Sequence, residues 1–328
     1  GAVLGEILNQ KNSHRNFVVK LRKSNRFTDD SNIGKLARFV QSYAEEAVCG
    51  PVDFEKAFTQ DGGKDITRFE TLRNDEGTGS ASPALSRKET EAAVQKFVVS
   101  KLDAFAKLPE LAEKVEPLVF CNAINSTSTI VQKNAAIESA TEAAQELWTL
   151  SLSMRILAAE RRGPQGVETI NEIACKKIRG HWINSCRSIS PDFVPPHKKH
   201  FPGQLLILTQ NQNMYKLYNG DTGVVVFAKQ QPYLMLKKTD GFVFYPLAVL
   251  PTDALEPAFA ITIHKSQGSE YNHVIMFLPS KVGHPLLTNQ ILYTGITRAK
   301  KSVTVVATPE AFRAACTTVT TRDTGIEL

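Results

Sequence analysis

Polar side chains of many kinds follow one another without interruption after an apolar segment near residue 260. The segment 258–263 (AFAITI) combines aromatic and β-branched residues and predicts a buried strand, and HKSQGSE occupies 264–270 directly after it. Gly268 allows a ligand or another stretch of backbone to approach closely. Because ligands of open α/β sheets lie outside the carboxyl ends of the strands, this density of donors and acceptors predicts a binding site.

A second string that could do chemistry is YTGITRAKK at 293–301. Arg298 follows an apolar helical segment that ends at Ile296, so its guanidinium is predicted to lie at an edge of the sheet. Arginine is planar, always ionised and carries several donors, which suits it to stabilise charge on a transferring phosphoryl group. The alternative for any single arginine is an ion pair on the surface.

The elements around these strings alternate between strand and helix patterns, which predicts an α/β fold with a largely parallel sheet. Between about 203 and 257 the pattern changes to short strands and turns, including NGD at 219–221, and this change predicts a small antiparallel barrel. We therefore expect an α/β host made of 1–202 and 258–328, with the barrel 203–257 inserted between its two parts.

Hydrophobic periodicity, turn residues and caps predict the individual elements. The predicted helices are Ser31 to about Val48, Ser86 to about Ala106 (opened by a capping box of Ser86 and Glu89), about Ile130 to Leu152, Val167 to Ile178 and Thr288 to Tyr293. The predicted strands are 17–21, Leu118 to Cys121, 154–159, 273–279 and 302–307, and residues 50–85 are expected to be irregular.

Composition is that of a globular protein with a mild basic excess. The net charge is +6 and the pI about 9.0, and basic residues cluster in several short segments, which favours contact with a polyanion. Five cysteines are scattered without a C-x-x-C pair, so we expect reduced thiols in a cytoplasmic protein. No apolar run reaches the roughly 18 residues of a membrane span. The sequence contains no G-x-x-x-x-G-K-[ST] loop and no zinc pattern.

Several strings resemble motifs of superfamily 1 helicases. ITIHKSQGSEY resembles motif V, YTGITRAKK resembles motif VI, and KSNRF at 23–27 resembles motif IV. The strings RILAAERRGPQGVETIN (155–171) and KLYNGDTGVVV (216–226) are similar to the RecD family, the alpha subunits of exodeoxyribonuclease V. The resemblance runs from residue 1 to about 325. GAVLGEI at the start resembles the segment after motif III, so the first RecA-like domain is expected to lie outside this sequence.

The resemblance implies a RecA-like parallel sheet with helices on both faces and an inserted SH3-like barrel. It also implies that ATP binds between two RecA-like domains and that single-stranded DNA crosses both. The implied catalytic arginines are Arg298 and Arg26, which would stabilise charge on the γ-phosphate. Glu270 would accept a hydrogen bond from the ribose, with Gly268 and Gln267 near the phosphates. The residues implied to face DNA are Thr262, His264, Lys265 and Thr297.

The function implied is that of the carboxyl-terminal part of an ATP-dependent 5′–3′ DNA helicase acting in double-strand-break repair and recombination. The implied cofactors are ATP and Mg²⁺, with no metal ligand in this sequence, and the implied partners are single-stranded DNA, RecB and RecC. Without a phosphate-binding loop the chain alone is expected to be inert. Two alternatives stay open: a stand-alone RecD-like helicase without RecB and RecC, and a non-catalytic module for DNA binding or assembly.

Overall fold

A parallel sheet lies at the centre of one part of the molecule. The computed structural model describes residues 31–45, 58, 66–72, 86–124, 135–197 and 199–319. The strands of this sheet are β1 (Ile66–Glu70), β2 (Met154–Ala158), β8 (Ala260–Thr262), β9 (Tyr271–Phe277) and β10 (Ala299–Val306), in the order β1-β10-β9-β2-β8. The pairs β1/β10 and β10/β9 are parallel. Every residue of β2 is buried, which explains why its sequence, MRILA, lacks the alternation of a half-exposed strand.

Three helices accompany this sheet: α1 (Asn32–Glu45), α7 (Asn289–Ile296) and α8 (Pro309–Thr317). The helix predicted from Ser31 is present as α1, and its apolar residues at helical spacing, Ile33, Leu36, Ala37 and Val40, are all buried. Asn289 joins the three helices: its side-chain amide donates to the carbonyl oxygens of Val40 in α1 (2.6 Å) and Cys316 in α8 (2.8 Å). The buried amide therefore links the three helices inside the core.

A second sheet is antiparallel. Its members are β3 (Leu205–Leu208), β4 (Thr222–Ala228), β5 (Gln231–Lys238), β6 (Gly241–Pro246) and β7 (Leu255–Pro257), in the order β6-β5-β4-β3-β7. The short antiparallel strands predicted between 203 and 257 are thus present. The apolar core on this sheet consists of Leu206, Leu208, Leu217, Val225, Phe227, Leu234, Leu236, Leu247 and Leu250.

The remaining helices are α2 (Arg87–Lys101), α3 (Leu108–Lys114), α4 (Glu116–Ile124), α5 (Ala135–Ser151) and α6 (Val167–Ile189), with a short 3₁₀ turn at Leu102–Phe105. Three of them contact the antiparallel sheet. The Glu116 carboxylate of α4 accepts from the backbone N–H of Lys229 at 2.8 Å, and Trp148 of α5 packs edge-on against Phe242 of β6. Gly203, just before β3, lies against Leu108 of α3.

Contacts divide the chain into two units. One contains 1–72, 156–161 and 262–328, and the other contains 73–155 and 162–261. The unit boundaries fall within β2 and β8. The antiparallel sheet is therefore grouped with helices α2–α6.

Some predicted elements differ from the observed ones. The strand predicted at Leu118–Cys121 is wrong, because these residues lie in α4; a short apolar run fits a buried helix as well as a strand. β1 lies in the segment expected to be irregular, and α6 continues to Ile189, well beyond the predicted end at Ile178. The capping box is confirmed, since Ser86 and Glu89 exchange both hydrogen bonds at the start of α2. The strand predicted at 17–21 and Arg26 lie outside the described residues.

Candidate functional site

The loop between β8 and β9, residues 263–270, is organised by its own hydrogen bonds. Residues His264–Ser266 form a 3₁₀ turn, and the buried Ser266 hydroxyl donates to the carbonyl of Ile263 at 2.6 Å. The Thr262 hydroxyl accepts from the backbone N–H of Lys265 at 3.2 Å. The hydroxyls of Thr262 and Ser266 thus stabilise the turn. The larger side chains of His264 and Gln267 remain exposed.

Gly268 gives the loop its change of direction. Its φ is +85°, in the left-handed region where a Cβ is strained, and a Cβ at this position would meet no atom within 4 Å. The glycine is thus required for the backbone conformation, and the space beside it is open.

Arg298 ties this loop to the end of α7. The guanidinium donates from Nε to the carbonyl of Thr294 (3.1 Å), from Nη1 to the carbonyl of Ser269 (3.2 Å) and from Nη2 to the hydroxyl of Thr297 (3.1 Å). The backbone carbonyl of Arg298 also accepts from the N–H of Tyr271 at 2.9 Å. Only 7% of Arg298 is exposed, so its position is set by this network.

Thr297 is part of the same network. Its hydroxyl donates to the carbonyl of Thr294 at 3.0 Å while it accepts from Arg298, and 4% of the residue is exposed. The structure therefore places Thr297, which the sequence assigned to DNA contact, beneath the surface and against the arginine.

Glu270 follows Ser269, whose carbonyl accepts a hydrogen bond from Arg298. Its carboxylate oxygen Oε2 is 2.8 Å from the ammonium Nζ of Lys300, and about a third of the Glu270 side chain is exposed. Glu270 immediately precedes β9 and Arg298 immediately precedes β10, so both charged groups lie at the amino ends of neighbouring parallel strands. His264, by contrast, follows the carboxyl end of β8. The loop 263–270 thus has His264 at its start, after the carboxyl end of β8, and Glu270 at its end, before the amino end of β9.

A basic surface adjoins the amino ends of these strands. The pKa of His273 is lowered, chiefly because the ring is partly buried and further because Lys301 and Arg68 lie nearby. Its Nδ1 atom is 2.8 Å from the Ser302 hydroxyl. His273 is therefore neutral at pH 7, and the two exposed side chains, Lys301 and Arg68, carry the positive charge there.

The structure brings most of the predicted site residues together. The group contains Thr262, His264, Lys265, Gln267, Gly268, Glu270, Thr297 and Arg298, all within the loop 262–270 or at the junction of α7 and β10. Arg26 lies outside the described residues. The carbonyls of Ser269 and Thr294 and the ammonium of Lys300 were not predicted, since no sequence signal distinguishes a backbone acceptor or the partner of one glutamate.

A buried arginine and a half-buried carboxylate at the starts of two paired strands suit a ligand that has both anionic oxygens and hydroxyl groups. The guanidinium can donate to phosphoryl oxygens and the carboxylate can accept from hydroxyls. Across the described residues no group of three His, Cys, Asp or Glu side chains could hold a metal ion. None of the described helices is long and apolar enough to cross a membrane.

A known protein family matches the part of the chain that contains this site. Residues 257–306 match the UvrD-like helicase C-terminal domain. This match starts at β7 and ends with β10, so it includes the whole loop 263–270 and Arg298.

The chain is also similar to RecD subunits over much greater lengths. It is 28% identical over 318 residues to the RecBCD enzyme subunit RecD of Haemophilus influenzae, an alignment that covers 96% of this chain and 41% of that protein. The RecD subunit of Mycolicibacterium smegmatis is 36% identical over 172 residues, covering 52% of this chain and 28% of that subunit. The chain thus spans less than half the length of these relatives. The expected resemblance to RecD is confirmed.

Among solved structures, the Pif1 helicase from Bacteroides in complex with ADP-AlF3 and ssDNA matches 71% of this chain and 51% of its own, with 12% identity and a TM-score of 0.28. A likeness at this level adds nothing to the sequence matches.

Proposed function

We propose that this chain is the carboxyl-terminal part of a RecD-like, ATP-dependent DNA helicase. In this proposal its parallel sheet is the second of two RecA-like domains, and the antiparallel sheet is an SH3-like barrel. The match of 257–306 to a helicase C-terminal domain and the similarity to RecD subunits support the proposal.

The observation that carries the proposal is that Arg298 is hydrogen-bonded to the end of the loop that carries Glu270. The guanidinium donates to the carbonyl of Ser269, the residue immediately before Glu270, so a positive and a negative group belong to one ordered segment. A nucleotide offers phosphoryl oxygens to the arginine and ribose hydroxyls to the carboxylate. Gly268 and Gln267, which are exposed in the same loop, would lie near the phosphates.

Arg298 would act in hydrolysis rather than in holding the nucleotide. Negative charge on the γ-phosphate redistributes as the bond to the β-phosphate breaks, and an arginine supplied from a second domain can raise the rate by roughly 10³ to 10⁵. Because the chain has no G-x-x-x-x-G-K-[ST] loop, the residues that cradle the phosphates and Mg²⁺ belong to another domain in this proposal. The chain alone is then inert, and hydrolysis depends on closure of the two domains.

The opposite end of the loop would contact single-stranded DNA. His264 is exposed, and Thr262 and Lys265 are half-buried at the carboxyl end of β8. These side chains can donate to phosphate oxygens without reading base sequence. Closure of the domains around ATP would move this surface along the strand, with 5′–3′ polarity. RecB and RecC are the partners in this proposal, which places the enzyme in repair and recombination in the cytoplasm.

The test compares substitutions at the two ends of the loop, Glu270 and His264, in the full-length protein. Glu270→Gln is expected to weaken binding of a non-hydrolysable ATP analogue by roughly ten-fold, because one charge-assisted hydrogen bond to the ribose is lost. It should leave binding of a labelled oligonucleotide within about two-fold. His264→Ala is expected to do the reverse.

Glu310→Gln is the matched control, since Glu310 is an exposed carboxylate on α8. It should leave both affinities unchanged. Indistinguishable binding profiles for Glu270→Gln and His264→Ala would contradict the proposed division of the loop.

A further inference from the structure

Lys300 lies at an irregularity in the pairing of β10 with β9. β9 and β10 pair at Tyr271/Ala299 and again at His273/Ser302, so β10 advances three residues where β9 advances two. The extra residue is a β-bulge, a feature that turns a side chain away from its regular direction.

The bulge changes which side chains reach the surface. In a regular strand neighbouring side chains point to opposite faces, whereas Lys300 and Lys301 are both exposed. Ala299 and Val303, on either side, stay buried. The bulge thus presents two lysines at the start of β10 without removing apolar residues from the core.

The two lysines have different neighbours. Lys300 Nζ is 2.8 Å from Oε2 of Glu270, whereas Lys301 lies near His273 and contributes to lowering the pKa of that ring. We infer that Lys300 is a positioning residue: it holds the Glu270 carboxylate in the orientation that accepts the ribose hydroxyls of the nucleotide. This inference rests on the proposed nucleotide role of Glu270.

The chemistry favours such a role. A glutamate at a loop end has several rotamers, and a ribose hydroxyl is a neutral donor that cannot by itself order them at low cost. An ammonium 2.8 Å from one oxygen reduces the number of orientations that the carboxylate can adopt. Both side chains are partly exposed, so the ion pair itself stabilises the fold little. Its effect should therefore show in ribose recognition rather than in folding.

The test is steady-state, DNA-stimulated ATPase activity of the full-length protein with ATP, 2′-deoxy-ATP and 3′-deoxy-ATP. Lys300→Met is expected to raise KM for ATP roughly three- to ten-fold, as for loss of one ordered, charge-assisted contact, with kcat largely kept. It should also shrink the KM difference between ATP and the deoxy nucleotides. Lys300→Arg should restore both, because the guanidinium can also pair with the carboxylate.

Lys301→Met is the matched control from the same bulge and should keep the ribose discrimination of the wild type. In the double variant with Glu270→Gln, Lys300→Met should add nothing further, because its effect passes through Glu270. Unchanged discrimination in Lys300→Met, with discrimination lost in Glu270→Gln, would overturn the inference and leave the proposed function standing. Unchanged discrimination in Glu270→Gln itself would contradict the nucleotide role assigned to that residue.

Discussion

At the scale of single residues, one guanidinium joins two backbone carbonyls and a side-chain hydroxyl. Arg298 contacts the last turn of α7 through Thr294, the loop before β9 through Ser269, and the hydroxyl of Thr297. A lysine has one nitrogen and cannot reach these three acceptors together. The network therefore explains why an arginine is needed here even before a ligand binds, and it presets the geometry in which the group would meet a phosphate.

Two thiols are predicted to be unreactive in the folded protein. Burial raises the pKa of Cys175 and of Cys316 to about 12, so their thiolate forms are scarce at pH 8. Iodoacetamide at pH 8, read by peptide mass spectrometry, should modify Cys316 more slowly than the half-buried Cys186, and urea should remove the difference. Equal native rates for these two residues would contradict this prediction.

The same pKa shift gives a sign for the pH dependence of stability. Unfolded thiols ionise above a pKa of about 8.5 while the folded ones keep their protons, so the unfolded state binds fewer protons at alkaline pH. The contribution of these thiols to the free energy of unfolding is therefore complete below pH 8 and falls as the pH rises toward 12. Alkaline urea titrations should show the midpoint decreasing over that range.

Residue types singled out some residues of the candidate site but not the residues that hold them in position. Arg298, Glu270 and Gly268 are identifiable because their side chains or backbone freedom belong to recognisable strings. The pairing of Glu270 with Lys300 depends on a bulge between two strands, and neither periodicity nor spacing encodes it. The burial of Thr297 depends on Arg298 lying over it. Both features follow from tertiary packing.

At the scale of elements, α3 and the start of β3 approach each other at a glycine. Gly203 has φ +78°, and a Cβ there would lie 2.6 Å from the backbone carbonyl carbon of Leu108. Gly220 has φ +96° in the turn before β4, but a Cβ there would meet no atom within 4 Å. The two positions share the strained backbone and differ in the space available.

This contrast predicts that Gly→Ala lowers the free energy of unfolding by different amounts at the two positions. Gly220→Ala should lower the free energy of unfolding by about 1–2 kcal/mol, the cost of placing a Cβ in left-handed backbone. Gly203→Ala should cost roughly 1–3 kcal/mol more, because Leu108 backbone must also move. Urea unfolding of both variants measures the difference. A Gly203→Ala variant as stable as Gly220→Ala would show that α3 does not pack closely at this position.

Elements with local signals were predictable, and elements defined by remote partners were not. The capping box fixed the start of α2, and the face of α1 follows from its periodicity. β1 pairs with β10, more than two hundred residues away in sequence, and ITRFE has too little alternation to stand out among turn-rich neighbours. In α4 the run LVFC is apolar throughout, so helix and strand could not be distinguished by period.

At the scale of the whole molecule, deleting the antiparallel sheet is a poor probe of its role. It packs against α3, α4 and α5 within one unit, so excising 203–257 would expose their apolar faces along with the loss of any ligand surface. Point substitutions on its surface are the sharper probe. Of the tyrosines and phenylalanines in 203–257, Tyr218 is the exposed one and lies between β3 and β4. Tyr215 and Tyr245 pack together, and Phe242 packs on Trp148.

Tyr218 is therefore the predicted stacking platform if the barrel holds single-stranded DNA. Its loop is ordered by the Tyr218 N–H donating to Asp221 and the Asn219 N–H donating to Asn211. Tyr218→Ala should weaken oligonucleotide binding by roughly ten-fold, as stacking contributes about 1–3 kcal/mol per base, and Tyr218→Phe should not.

Met214→Ala, on the same exposed loop but without an aromatic ring, is the control and should keep the affinity. Full oligonucleotide affinity in Tyr218→Ala together with lost binding of RecB or RecC would assign this loop to assembly instead.

In the proposed function, this chain supplies the arginine that stabilises charge during ATP hydrolysis. The steady-state ATPase activity of the full-length protein at saturating ATP and single-stranded DNA tests this role. Arg298→Lys keeps the positive charge but loses the planar guanidinium with its several N–H donors. Arg313→Ala is the control, because Arg313 is an exposed arginine on α8. Arg26→Ala is expected to behave like Arg298→Lys. We predict that kcat in Arg298→Lys falls by about 10² or more while KM for ATP changes only a few-fold, and that Arg313→Ala has normal activity. Near-normal kcat in Arg298→Lys would contradict the proposed role.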